Sequence, residues 1–327
     1  MSRRNRPVAP PLPVDRDLLQ MLLTDYNEAV QTLDRAATAL RLRESRLRNV
    51  LSRARAPSSD PGSLAPTLVT GSAPTSEIAF FCLGKFKVEV QGAGLDPQPR
   101  AKALKILKLL VHRQGHPATR EALAEALWPD SDPEVAFNRL RVSIHSLRQA
   151  FVKWAHLKDV IVYDGGVYGL NPQLDLWVDA DEFEQRWRQG VRLDTDGLPR
   201  EAMLSYQKAE MVYQGDYLED DPYDEWTFLR RERLRDAYLH LLGKLAAGYF
   251  EESDYGSCIA CCHKILAEDP YREDTYRLLM RCYASMGQKA ASLHWYQVCL
   301  ATLRKGLDVE PSIQTSSLNQ QILLGPA

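Results

Sequence analysis

Between Asn138 and Arg148 the sequence NRLRVSIHSLR spaces hydrogen-bond donors in a way that suits the reading of base edges. Asn138, Arg139, Arg141, Ser143, His145, Ser146 and Arg148 interleave with Leu140, Ile144 and Leu147. With Ala136 before them and Phe151 after them, the apolar residues fall on one helical face and leave the rest of the circumference to donors. Asn and Arg have the bidentate geometry that selects adenine or guanine in the major groove. After Glu134 no acidic residue occurs until Asp159, so a phosphate backbone would meet little like-charge repulsion there. The same pattern alone also fits a solvated helix face, so its meaning depends on the elements around it.

Those elements are legible. Residues 77–90 (EIAFFCLGKFKVEV) alternate about Gly84 as a short hairpin. Residues 100–114 (RAKALKILKLLVHRQ) place Ala103, Leu104, Leu107, Leu110 and Val111 on one face of a helix that stops at Gly115, with Arg100, Lys102, Lys105 and Lys108 elsewhere, able to meet phosphate. Thr119 caps a short helix over 120–127 that ends before Trp128-Pro129. A longer helix starts after Asp132, with Pro133 in its first turn, and is expected to run to about residue 154. Residues 159–170 (DVIVYDGGVYGL) read as two β-rich arms around Asp164-Gly165-Gly166. Two strands, three helices and a terminal hairpin are the parts of a winged helix-turn-helix, which sets the domain at 77–172.

The flanks are organised differently. Residues 1–14 are expected to be a disordered tail, with Arg3, Arg4 and Arg6 ahead of a run of prolines that lacks the apolar stretch of a signal peptide. Residues 15–55 contain no Gly or Pro, and a seven-residue series through Leu19, Tyr26, Leu33, Leu40 and Leu47, with a second beginning at Leu22, predicts a coiled-coil helix that associates chains. The small Ala29 and Ala36 and the charged Arg43 in that seam keep open an amphipathic helix folded back on the protein's own body. Residues 56–76, rich in Pro, Ser, Gly and Thr, read as a flexible linker.

From 173 to 327 the pattern is helical and repeats at 34 residues: Leu245 with Leu279, Tyr249 with Tyr283, Ile259 with Leu293, Cys262 with Tyr296, Leu266 with Leu300. That period is the tetratricopeptide (TPR) length, in which paired antiparallel helices share a core. A helix over 200–213 reads as part of a more divergent repeat before it. The expected fold class is therefore mainly α with small β: a coiled-coil helix, a winged helix and a TPR-like α-helical repeat domain.

Charge divides along the chain although its net value is −2. Residues 1–56 hold 11 Lys/Arg against 6 Asp/Glu and residues 77–172 hold 13 against 10, whereas 173–327 hold 17 against 26. A basic front and an acidic rear fit a nucleic-acid contact confined to one part of the molecule. No apolar run reaches the length of a membrane span, so a cytoplasmic, nucleoid-associated protein without membrane contact is expected. No HExxH, GxSxG or GxxxxGK[ST] occurs, and neither an enzyme nor a cofactor or metal is expected. Cys258, Cys261, Cys262 and His263 lack the loop-borne pairs of a zinc site and are assigned to packing between repeat helices, with metal or redox sensing as the alternative. The acidic run Glu219-Asp220-Asp221 with Asp224 and Glu225 is expected to be a solvated face beside a helix start.

Taken together, LGKFKVEV, PRAKALKILKLLVHRQG, REALAEALWPDSDPEVAFNRLRVSIHSLRQAF, VYDGGVYGLNP and DADEFE resemble the actinomycete-type antibiotic regulatory protein family (SARP), whose winged helix is of the OmpR/PhoB type. YQGDYLEDD, EWTFLRRERLRDAYLHLLGKLA and the run from Asp269-Pro270 to Glu310-Pro311 are similar to the bacterial transcriptional activator domain that follows it. The resemblance implies an activator that binds promoter repeats and recruits RNA polymerase. It assigns the reading role to Asn138, Arg141, Ser143, His145, Ser146 and Arg148, and the wing to Gly165-Gly166. The expected partners are double-stranded promoter DNA, RNA polymerase and further copies of the chain, as a dimer or higher oligomer. The alternative is a TPR-type adaptor whose winged helix makes protein contacts only.

Overall fold

The computed structural model describes residues 76–325 apart from 96–97, 155–156 and 158. The heptad segment, with Leu19, Leu22, Tyr26, Leu33, Leu40 and Leu47, lies outside the described residues.

Phe80 and Ile78 point into the core from β1 (Ile78–Phe81), which pairs antiparallel with β2 (Lys87–Val90); β3 (Ala93–Gly94) extends the sheet. A further strand escaped the sequence reading. β7 (Leu176–Val178) pairs parallel with the other edge of β1, giving the order β3-β2-β1-β7, so a segment beyond residue 172 completes the first sheet.

Helices α1 (Ala101–His112), α2 (Arg120–Leu127) and α3 (Pro133–Ala150) follow, with β4 (Ala118–Thr119) joining β5 (Ile161–Asp164) and β6 (Val167–Leu170) in a second sheet. Local chemistry sets their ends. The Thr119 hydroxyl accepts from the Ala122 N–H at 3.1 Å, and the Asp132 carboxylate accepts from the Glu134 N–H at 3.0 Å ahead of Pro133. Helix α3 stops at Ala150, short of the expected 154, because the buried Phe151 bonds back to the Arg148 carbonyl and turns the chain inward.

Two expectations are corrected by what covers α1. Ile106 through Val111, Lys108 included, are all buried, so the second half of the helix is covered nearly all round rather than on one stripe. Lys105 and Lys108 do not face outward for phosphate: Lys105 pairs with Asp224 at 2.6 Å and Lys108 with Asp221. Within the acidic run Glu219, Asp220 and Glu225 are exposed as expected beside the helix start, but Asp221 and Asp224 are half-buried and form the acceptor side of an ionic bracket, to which Asp220 adds a bond from the Phe86 N–H at 3.1 Å.

The C-terminal part consists of helix pairs. Helices α4 (Asp179–Thr195) and α5 (Pro199–Val212) pack first, so closely that a Cβ on Gly190 would lie 2.4 Å from the Tyr206 ring. They are followed by α6 (Glu225–Glu251), α7 (Tyr255–Glu268), α8 (Glu273–Ser285), α9 (Lys289–Leu307) and α10 (Ile313–Leu324). A shift of 34 carries 239–251 onto α8 and the start of α7 onto the start of α9, the period read from sequence. All six cysteines are free and buried, and among the described residues no group of three His, Cys, Asp or Glu could hold a metal ion. No described helix is long and apolar enough to cross a membrane.

One buried cluster runs from Ile78 of the winged helix to Cys282 of the repeats. The seam is stitched by Asp179, the first residue of α4. Its carboxylate accepts from the N–H groups of Cys82 (2.7 Å), Leu83 (2.9 Å) and Ala180 (2.7 Å), while burial pushes its pKa up to about 6. Arg230 of α6 lies across the same seam, against Asp181, Glu184, the Tyr217 ring and the His112 carbonyl. His112 packs edge-on to Trp226 at 4.9 Å; burial, then the charges of Arg230 and Arg113, lower its pKa to about 4.

That shift makes the seam pH-dependent. A histidine held neutral when folded and titrating near 6.5 when unfolded contributes stability fully present above about pH 6.5 and lost as pH falls toward about 4. Allowing for partial exposure the effect is about 2 kcal/mol. A His112→Phe variant should therefore gain about 2 kcal/mol relative to the parent between pH 7 and pH 4, read as the difference of urea midpoints. A constant difference across that range would contradict the assignment.

Candidate nucleic-acid interface

Helix α3 turns Ala136, Leu140, Ile144 and Leu147 inward against α1 and α2 and presents the opposite side to solvent. Asn138, Arg139, Arg141 and His145 are exposed; Ser143, Ser146 and Arg148 are half-buried. Arg100 and Lys102, at the start of α1, are also exposed. Seven of the sequence-designated residues line one open groove between α1 and α3: Arg100, Lys102, Asn138, Arg139, Ser143, His145 and Ser146. Trp128 also lines it, with the Lys102 ammonium 5.9 Å from the ring and donating to the Leu127 carbonyl at 3.0 Å.

Arg141 and Arg148 lie outside that groove, on the flank toward the β5–β6 hairpin. Arg148 already has a structural role: its Nε and Nη2 donate to the Ile161 carbonyl at 3.3 and 2.9 Å, where β5 begins. It therefore holds the wing to α3, a duty that the sequence pattern did not suggest. Arg139 donates to the Ser131 hydroxyl at 2.9 Å and is otherwise exposed. Behind α3, Arg120 stacks on Phe137 at 4.5 Å and pairs with Glu121 at 2.6 Å.

Gly165 and Gly166, with φ of 54° and 89°, make the two-residue turn at the wing tip, a left-handed conformation that favours glycine at both positions. Beside them Tyr163 is half exposed and rests on Tyr168, ring centroids 4.6 Å apart.

Three residues of the exposed face were not singled out from sequence: Val135, Val142 and Gln149. With Asn138 and His145 they form its outermost line, opposite the buried stripe at about 100° per residue. The helical spacing contains this signal, but a search for donors passes over valine.

A winged helix fused to a TPR-like helical domain, with a donor-rich helix left open, is the architecture of a class of bacterial transcriptional regulators. Residues 97–167 match the family described as "Transcriptional regulatory protein, C terminal", and residues 178–323 match "Bacterial transcriptional activator domain". This domain pair places the chain in the SARP family of regulators.

Transcriptional regulatory protein MoaR1 of Mycobacterium tuberculosis is 24% identical over 247 residues, covering 75% of this chain and 79% of MoaR1. Regulatory protein AfsR of Streptomyces griseus is 26% identical over 234 residues, 70% of this chain but 22% of AfsR. Among solved structures, Mycobacterium tuberculosis EmbR, in complex with a low-affinity phosphopeptide, matches with a TM-score of 0.62 at 22% identity, over 76% of this chain and 65% of that one. The EmbR likeness concerns the fold.

Proposed function

We propose that this chain is a sequence-specific regulator that binds duplex promoter DNA, laying α3 in the major groove with the β5–β6 wing alongside. In this reading it acts as an activator that recruits RNA polymerase, and residues 15–55 associate copies into a dimer or higher oligomer. The observation that carries the reading is the open face of α3. Asn138, Arg139, Arg141 and His145 lie in solvent instead of against the chain's own repeats, although the repeats share one buried cluster with the same domain.

Arg100 and Lys102 across the groove, and Arg141 toward the wing, supply positive charge on both sides of that face for phosphate. The names of the relatives, both regulatory proteins, point the same way.

Selection of bound duplexes from a random pool by the full-length chain tests the proposal. Enrichment of a short motif that recurs at fixed spacing is expected. Folded protein that enriches nothing would favour the adaptor reading instead.

A further inference from the structure

Val142 stands in the middle of the polar face of α3 with 62% of its surface in solvent, and Val135 precedes it on the same line with 45% exposed. Around them lie Asn138, Arg139, His145, Ser146 and Gln149. A solvated helix gains nothing from β-branched residues at such positions. They are poorer helix formers than Ala, Lys or Glu, and they leave apolar surface in water.

We propose that Val142 reads the 5-methyl group of a thymine, so that the recognised half-site carries a T·A pair opposite the middle of α3. The proposal rests on the major-groove reading above and sharpens it into a base preference. In the major groove the thymine methyl is the one apolar group a base edge presents; every other feature is a donor or acceptor that a valine would desolvate without replacing its bond. Asn138 lies one turn before Val142 on the same line and has the amide that pairs with adenine. Four residues of helix rise about 6 Å, roughly two steps of a duplex at about 3.4 Å each. The adenine read by Asn138 therefore falls about one or two base pairs from the thymine read by Val142.

The test begins with the duplex that the full-length chain selects. Each thymine in it is replaced singly by uracil, which removes the methyl group and nothing else, and affinities are measured for the parent and for Val142→Ala. One replacement should weaken the parent about fourfold, the effect of one buried methyl group, and should leave Val142→Ala unaffected. The variant should keep the parent's melting temperature, since the side chain is mostly in solvent. Indifference of the parent to uracil at every position, or an equal penalty in both proteins, overturns the assignment while leaving DNA binding intact. If the parent binds no duplex saturably, the underlying reading falls and takes this assignment with it.

Discussion

Replacing Arg230 by alanine is expected to destabilise the protein by about 3 kcal/mol, the lower end of the range for breaking a buried ion pair. Its side chain is 6% exposed and donates to Asp181 at 2.5 Å, with Glu184, itself 9% exposed, 3.7 Å from its Nε. Removing the guanidinium leaves the buried Oε1 of Glu184 without its nearby cation, although Arg188 at 2.6 Å and Arg233 at 3.5 Å still hold Oε2; Asp181, 40% exposed, recovers water and limits the damage. The Tyr217 ring also loses the cation stacked 4.9 Å from its centroid, and the His112 carbonyl loses a long bond at 3.4 Å.

Arg230→Lys should rescue little, because an ammonium cannot meet these partners at once as a planar fork does. Urea unfolding measures both variants. A loss under about 1 kcal/mol for the alanine variant would mean that Arg230 does not hold the seam.

The second large effect concerns binding. Asn138→Ala should cost about 1–3 kcal/mol at the selected duplex and relax preference at a single base position. Arg141→Ala should weaken selected and random duplexes alike and lower the salt slope by about one, as expected for a phosphate contact. Arg148→Ala should behave differently from both. Its donors hold the Ile161 carbonyl, so its loss lets the wing swing and lowers stability as well as affinity. Equal and position-independent losses for Asn138→Ala and Arg141→Ala would contradict the distinction between reading and positioning residues.

The contrast among these residues shows what the sequence could convey. Thr119, Asp132-Pro133 and Gly165-Gly166 act through partners no more than three residues away, so the ends of α2 and α3 and the wing turn were legible. The buried stripe of α3 followed from helical periodicity in the same way.

What escaped depends on distant partners. Strand β7 is three half-buried residues whose pairing with β1 spans nearly a hundred positions, and no alternation marks it. Lys105 and Lys108 read as phosphate ligands until Asp224 and Asp221, more than a hundred residues away, are folded against them. Arg148 carries the residue type of a base reader, yet the strand it braces lies 13 residues on and is brought close only by the turn after Phe151.

The central claim is that the exposed face of α3 meets the polyanion directly, and a salt titration of duplex binding by the full-length chain tests it. The claim predicts that the logarithm of the association constant falls linearly with the logarithm of salt concentration, with a slope of about −0.9 for each phosphate neutralised. Replacing Arg139 and Arg141 together should flatten that slope measurably. Binding indifferent to salt, or a slope unchanged in the double variant, would contradict the account.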